Sequence, residues 1–103
     1  MLTSKQKRYI KSQANRLRPL VHVGKNGVNE AFLTDLRRAF ATRELIKVNL
    51  LQNAPVTTEA VVTAVSEISD VTVVQVLGRV LTIYRPSHKE KYQQLSTEVN
   101  AIK

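Results

Sequence analysis

Gly24 and Gly27 stand three positions apart and bracket a lysine and an asparagine in the stretch Leu20-Val-His-Val-Gly-Lys-Asn-Gly27. Glycine lets a backbone turn sharply and come close to a ligand. Lys25 at the tip of such a turn supplies positive charge, and Asn26 offers a donor or acceptor to a phosphate or a ribose. A helical pattern follows, so unpaired N–H groups and the positive end of a helix dipole stand behind the turn. The arrangement suits a phosphate. The spacing alone also occurs in many ordinary turns, so its setting has to carry the reading. Residues 1–29 hold Lys5, Lys7, Arg8, Lys11, Arg16, Arg18 and Lys25, and the first carboxylate is Glu30.

Charge follows the same division. Sixteen Lys and Arg against eight Asp and Glu give a formal charge of +8, of which residues 1–29 contribute +7, residues 30–70 −2 and residues 71–103 +3. Charge concentrated in this way marks a binding face rather than general solubility. RNA is the first candidate, because KH-type modules clamp a sugar–phosphate backbone with a Gly-x-x-Gly loop. An anionic membrane surface accepts the same charge, but the apolar stripe of the first helix is too narrow for it.

Other chemistries find little support. The chain has no cysteine, which excludes disulfides, thiolate catalysis and cysteine zinc sites. His22 alternates with Val21 and Val23 as a strand surface residue, and His88 lacks neighbours at metal-ligand spacing. Glu30 and Asp35 read as a solvated helix face, and no nucleophile–base–orienter trio is present. We therefore expect no catalytic residue, no metal and no cofactor. Phe32, Phe40 and Tyr84 read as packing residues, although an aromatic such as Tyr84 is the usual platform for an unpaired base. No apolar run approaches membrane-span length and no signal-peptide core follows the basic start. The reading is a soluble, unprocessed, cytoplasmic protein that acts as a monomer.

At 103 residues and 43% apolar content, one domain can bury a core without staples. Thr3 with Gln6 forms a capping box that opens a helix over 4–17, with Tyr9, Ile10 and Leu17 buried, Ala14 at their edge, and Lys7, Lys11 and Arg18 on one flank. Pro19 stops it, and 20–23 form a short strand. Asn29 caps a second helix over 30–43, whose core stripe is Phe32, Leu36, Ala39 and Phe40. A strand over 45–51 puts Lys47 and Asn49 on one side. Ala60, Val61, Ala64, Val65 and Ile68 indicate a third helix. Strands over 71–77 and 80–85 flank Gly78-Arg79, a hairpin link with glycine first. After Pro86, Ser87 with Glu90 predicts another capped helix bearing Tyr92, Leu95, Val99 and Ile102 on one stripe. The fold class is α/β, with helices packed on one four-stranded mixed sheet in the order α-β-α-β-α-β-β plus a C-terminal helix.

Five segments together resemble a known family: Ser4-Lys-Gln-Lys-Arg-Tyr-Ile-Lys11, Leu17-Arg-Pro-Leu-Val-His-Val-Gly-Lys-Asn-Gly27, Glu44-Leu-Ile-Lys-Val48, Val76-Leu-Gly-Arg79 and Leu81-Thr-Ile-Tyr-Arg-Pro86. In this order and spacing they are similar to the bacterial stand-alone CRM domain, the YhbY-like RNA-binding proteins. The resemblance makes residues 1–86 the RNA-binding domain and leaves 87–103 as a tail outside it. It implies a fold like the C-terminal domain of translation initiation factor three. It also implies association with precursors of the large ribosomal subunit; relatives in plant organelles act in group II intron splicing. The implied RNA-binding residues are Gly24, Lys25, Asn26 and Gly27 with Lys5, Lys7, Lys11 and Arg18. Lys47, Arg79 and Arg85 are further candidates within family motifs.

The function expected is a non-catalytic protein that binds ribosomal RNA in large-subunit precursors and assists assembly. Alternatives are an RNA chaperone or splicing-type factor away from the ribosome, and a protein-interaction module using the apolar stripe of the tail.

Overall fold

Thr3 opens the first helix as its neighbours demand. Its hydroxyl accepts from the Gln6 amide at 3.1 Å while the Gln6 side chain accepts from the Thr3 amide at 2.8 Å, closing the reciprocal cap. The computed structural model describes residues 2–102. Its first helix, α1, spans Ser4–Ala14, one turn shorter than the pattern predicts. Ile10 and Ala14 are buried, but Leu17 is 39% exposed. Beyond Ala14 the chain tightens into a turn in which the Leu17 amide donates to the Ala14 carbonyl at 2.9 Å, and Pro19 disfavours helical backbone at Arg18.

The remaining elements follow the expected order: β1 Val21–Val23, α2 Glu30–Phe40, β2 Leu45–Leu50, α3 Thr58–Ser66, β3 Thr72–Leu77, β4 Val80–Tyr84, a 3₁₀ turn Glu90–Tyr92 and α4 Gln94–Asn100. Asn29 caps α2 by accepting from the Phe32 amide at 2.9 Å. Thr57 caps α3 in the same way, and Val61 and Val65 carry that Val-rich helix into the core, fully buried. Packing here overrides weak propensity. Gly78 takes φ +60° as the first residue of the two-residue hairpin link, which a side chain would resist.

One mixed sheet has the order β1-β2-β4-β3, with β1 parallel to β2 and β4 antiparallel to both its neighbours. Alternation along each strand gives it two different faces. Val21, Val23, Ile46, Val48, Leu50, Leu81 and Ile83 pack beneath α2 and α3 in the larger core. On the other face Leu45, Val74 and Tyr84 meet Ile10 and Ala14 of α1 and Val99 of α4. Val74 reaches that face through a register shift between Val73 and Gln75, where an extra residue turns the strand.

The tail departs from expectation at its start. Ser87 and Glu90 form no capping box. Instead the Ser87 amide donates to Glu44 Oε2 at 2.6 Å, and the Ser87 hydroxyl pairs with the main chain of Lys89. The α-helix begins only at Gln94. Its Ser96 amide donates to Glu44 Oε1 at 2.8 Å, so one buried carboxylate holds both ends of the connection. Gln6 Nε2 donates to the Val99 carbonyl at 3.0 Å, and the Tyr9 hydroxyl bonds the Glu98 carboxylate. Val99 is fully buried. The apolar stripe of the tail thus packs on its own domain.

Candidate nucleic-acid interface

The glycine turn is a closed four-residue loop. The Gly27 amide donates to the Gly24 carbonyl at 2.9 Å, which leaves Lys25 and Asn26 exposed at the tip. The two glycines have different reasons to be there. Gly27 sits at φ +63°, buried, where a Cβ would lie 3.4 Å from Val56 Cγ1 and 3.7 Å from Pro55 Cγ. Gly24 has no such conformation, and its Cβ would meet only Leu51 Cδ1 at 3.7 Å. The amides of Lys25 and Asn26 have no protein acceptor among the described residues, so they remain free to donate. Glu30 lies in the first turn of α2 and offsets part of its favourable dipole. Lys25 and the loop amides therefore carry the anion attraction, with the helix end secondary.

Over β2, β4 and β3, α1 presents its charges on two flanks. Gln6 and Tyr9 face α4, which is anchored at Glu44 and Ser87 beyond one end of the sheet. At 100° per residue, Lys7 and Lys11 leave the helix on the opposite flank, half-buried beside the sheet. On the sheet beside them Thr82 is still buried, and the cover thins toward the loop end, where His22 and Leu77 are exposed. Strand register puts Lys47, Thr82 and Gln75 in one row there, and His22, Asn49, Val80 and Leu77 in the next. Four residues of β2, from Leu45 beneath α1 to Asn49, measure about 13 Å. The Gly24–Gly27 loop begins just past that row.

Arg79 joins the loop end of this surface. Its Nη1 donates to the Leu51 carbonyl at 3.2 Å, and Leu51 is the residue that flanks Gly24. Arg18 is exposed on the connection into β1, two residues before Leu20, whose amide donates to the Lys47 carbonyl at 3.0 Å. Two candidates lie elsewhere. Lys5 is exposed on the solvent side of α1, turned away from the sheet. Arg85 follows β4 at the opposite end from the loop, where its amide donates to the Glu44 carbonyl at 2.9 Å. The structure thus brings Lys7, Lys11, Arg18, Lys47, Arg79 and the loop to one side and leaves Lys5 and Arg85 outside that group.

Base stacking has little to work with on this side. Phe32, Phe40 and Tyr84 are buried, Tyr9 bonds Glu98, and Tyr92 lies in the tail beneath the Lys91 ammonium. Burial, with the charge of nearby Glu44 adding to it, pushes the Tyr84 phenol up to about 12. His88 stands 3.6 Å from Asp70, both exposed. No group of three or more metal-ligating side chains occurs among the described residues, and no helix is long and apolar enough to cross a membrane. Sequence reasoning missed Glu44, which is 4% exposed and fixes the tail. The only cue was a carboxylate immediately before an apolar strand.

Comparison with known proteins identifies the family. The family model of the CRS1/YhbY (CRM) domain matches residues 2–85. "Probable RNA-binding protein YqeI" of Bacillus subtilis is 39% identical over 95 residues, which span 92% of this chain and 99% of that protein. An "RNA-binding protein" of Haemophilus influenzae is 35% identical over 92 residues, 89% of this chain and 93% of that one. The solution structure of SAV1595 from Staphylococcus aureus superposes with a TM-score of 0.72 at 39% identity, covering 87% of this chain and 94% of that one. By the matching family model, these relatives and the shared fold, the chain belongs to the CRS1/YhbY (CRM) domain family.

Proposed function

We propose that this protein binds RNA without catalysing a reaction on it, as a monomer in the cytoplasm. Its target is ribosomal RNA in precursors of the large ribosomal subunit, whose assembly it assists. The observation that carries this reading is the common side shared by the glycine loop and the Lys7–Lys11 flank of α1, with Lys47 and Arg79 between or beside them. The names of its relatives point to RNA as the ligand.

Affinity comes from phosphate neutralisation by these bases and from the free amides of the loop. The protein can hold an RNA segment in a foldable geometry, or block a wrong one, without breaking a bond. Co-sedimentation of the tagged chain through a sucrose gradient, followed by crosslinking and mapping of the bound nucleotides, tests the target. The expected result is enrichment with large-subunit precursors and crosslinks in their RNA. Enrichment with free RNA alone supports a chaperone or splicing-type role instead.

A further inference from the structure

β1 is an edge strand that pairs with β2 alone, so the main-chain groups along its outer side have no strand partner. Between that edge and α2 runs a groove. One half is lined by Leu20, His22, Asp35, Arg38 and Arg43 and encloses about 410 Å³. The other is lined by His22, Asp35, Asn29, Asn26 and Lys25 and encloses about 490 Å³. His22 and Asp35 belong to both halves, which makes the groove continuous from Arg43 to the glycine loop. Helix phase explains its far wall: Ala31, Asp35 and Arg38 share the flank beside the buried Phe32 and Ala39, and Arg37 leaves on the opposite flank.

Charge changes sign twice along this groove. Arg38 and Arg43 lie at one end, Lys25 at the other, and the Asp35 carboxylate between them. A phosphate is attracted to both ends and repelled from the middle. What suits the middle is the donor edge of a base. Cytosine presents an N4 amine there, whereas uracil presents an acceptor oxygen at the equivalent position.

We propose that the groove holds a single-stranded RNA segment leaving the glycine loop, with Arg38 and Arg43 on its phosphate and Asp35 accepting from the amine of one unpaired base. The proposal rests on the RNA-binding reading above and supplies what that reading lacks. Phosphate contacts carry no sequence information, and no aromatic is open on that side for stacking, so base discrimination needs a polar group of this kind. The outer edge of β1 adds further main-chain hydrogen-bonding groups along the same wall.

Fluorescence anisotropy with labelled oligocytidylate and oligouridylate of equal length tests it. The unaltered chain should bind oligocytidylate about five-fold or more tightly. Asp35→Ala should bring that ratio to about one while leaving oligouridylate binding unchanged or improved. Arg38→Ala combined with Arg43→Ala should weaken both oligomers alike and flatten the salt slope by about 0.7 per lost contact. Equal affinities in the unaltered chain, a ratio that survives Asp35→Ala, or affinities unmoved by the arginine pair would each overturn the proposal. The combined Lys25→Asp and Asn26→Asp variant separates the two levels. If it abolishes binding while Asp35→Ala leaves the ratio intact, only the groove is wrong. If the unaltered chain binds neither oligomer but still binds ribosomal RNA, the groove alone is wrong; if it binds none of the three, the RNA reading fails with it.

Discussion

The guanidinium of Arg79 donates to the main-chain carbonyl of Leu51 at 3.2 Å, tying the tip of the β3–β4 hairpin to the chain that leaves β2. Leu51 packs against Gly24, so this single bond places a cation from a distant segment beside the glycine loop. One Nη1 hydrogen is used, and the rest of the planar fork stays available to a phosphate.

Arg79→Ala should therefore act on binding more than on folding. The exposed hydrogen bond contributes about 0.5–1.5 kcal/mol to stability, and loss of the guanidinium removes one phosphate contact. RNA titrations over a range of salt should show a slope shallower by about 0.7. Arg79→Lys keeps the charge and should restore most of that slope.

The two glycines of the loop should respond differently to the same change. Gly27→Ala puts a Cβ at φ +63° and 3.4 Å from Val56, so it should cost about 1–3 kcal/mol and displace the loop. Gly24→Ala meets only an ordinary contact with Leu51 and should change stability by less than about 0.5 kcal/mol. Thermal unfolding of both variants, read beside RNA affinity, checks the contrast.

What could be read from sequence was local. The Thr3–Gln6 cap and the Asn29 cap formed as expected because both partners lie within one turn. The Ser87–Glu90 pattern is equally good on paper, yet Glu44, 43 residues away, takes the Ser87 amide and delays the helix to Gln94. The glycine loop was legible for the same reason as the caps. The exposed loop end of the sheet was not, because it exists only through strand order and the placement of α4 on the Gln6–Tyr9 flank. Arg38 and Arg43 carried no local signal at all; tertiary packing alone brings them to the edge of β1.

Glu44 gives the tail its anchor. Glu44→Ala leaves the amides of Ser87 and Ser96 without their acceptor and should destabilise the protein by about 2–4 kcal/mol. Glu44→Gln retains one acceptor oxygen and should cost less. Hydrogen exchange should show the protection of residues 94–100 falling before that of the sheet in the alanine variant.

Tyr84 sets a limit at high pH. Its hydroxyl is buried with no hydrogen-bond partner among the described residues, and its phenol titrates at about 12 against about 10 in an unfolded chain. Between those values the unfolded state releases a proton that the folded state retains, so stability present below pH 10 is lost as pH rises through 12. Tyr84→Phe should remove this dependence. It should also leave stability at neutral pH unchanged or raised by up to about 1 kcal/mol, since no bond is broken and an unpaired polar group disappears. Denaturant unfolding at pH values on both sides of 10 measures both effects.

The affinity for ribosomal RNA of the combined Lys25→Asp and Asn26→Asp variant, followed over a range of salt with circular dichroism as the check on folding, tests the central claim most directly. The account predicts at least about a tenfold loss of affinity and a shallower salt dependence in a chain that remains folded, because both residues sit on an exposed turn. Unaltered affinity in the folded variant, or a flat salt response in the original chain, would contradict it.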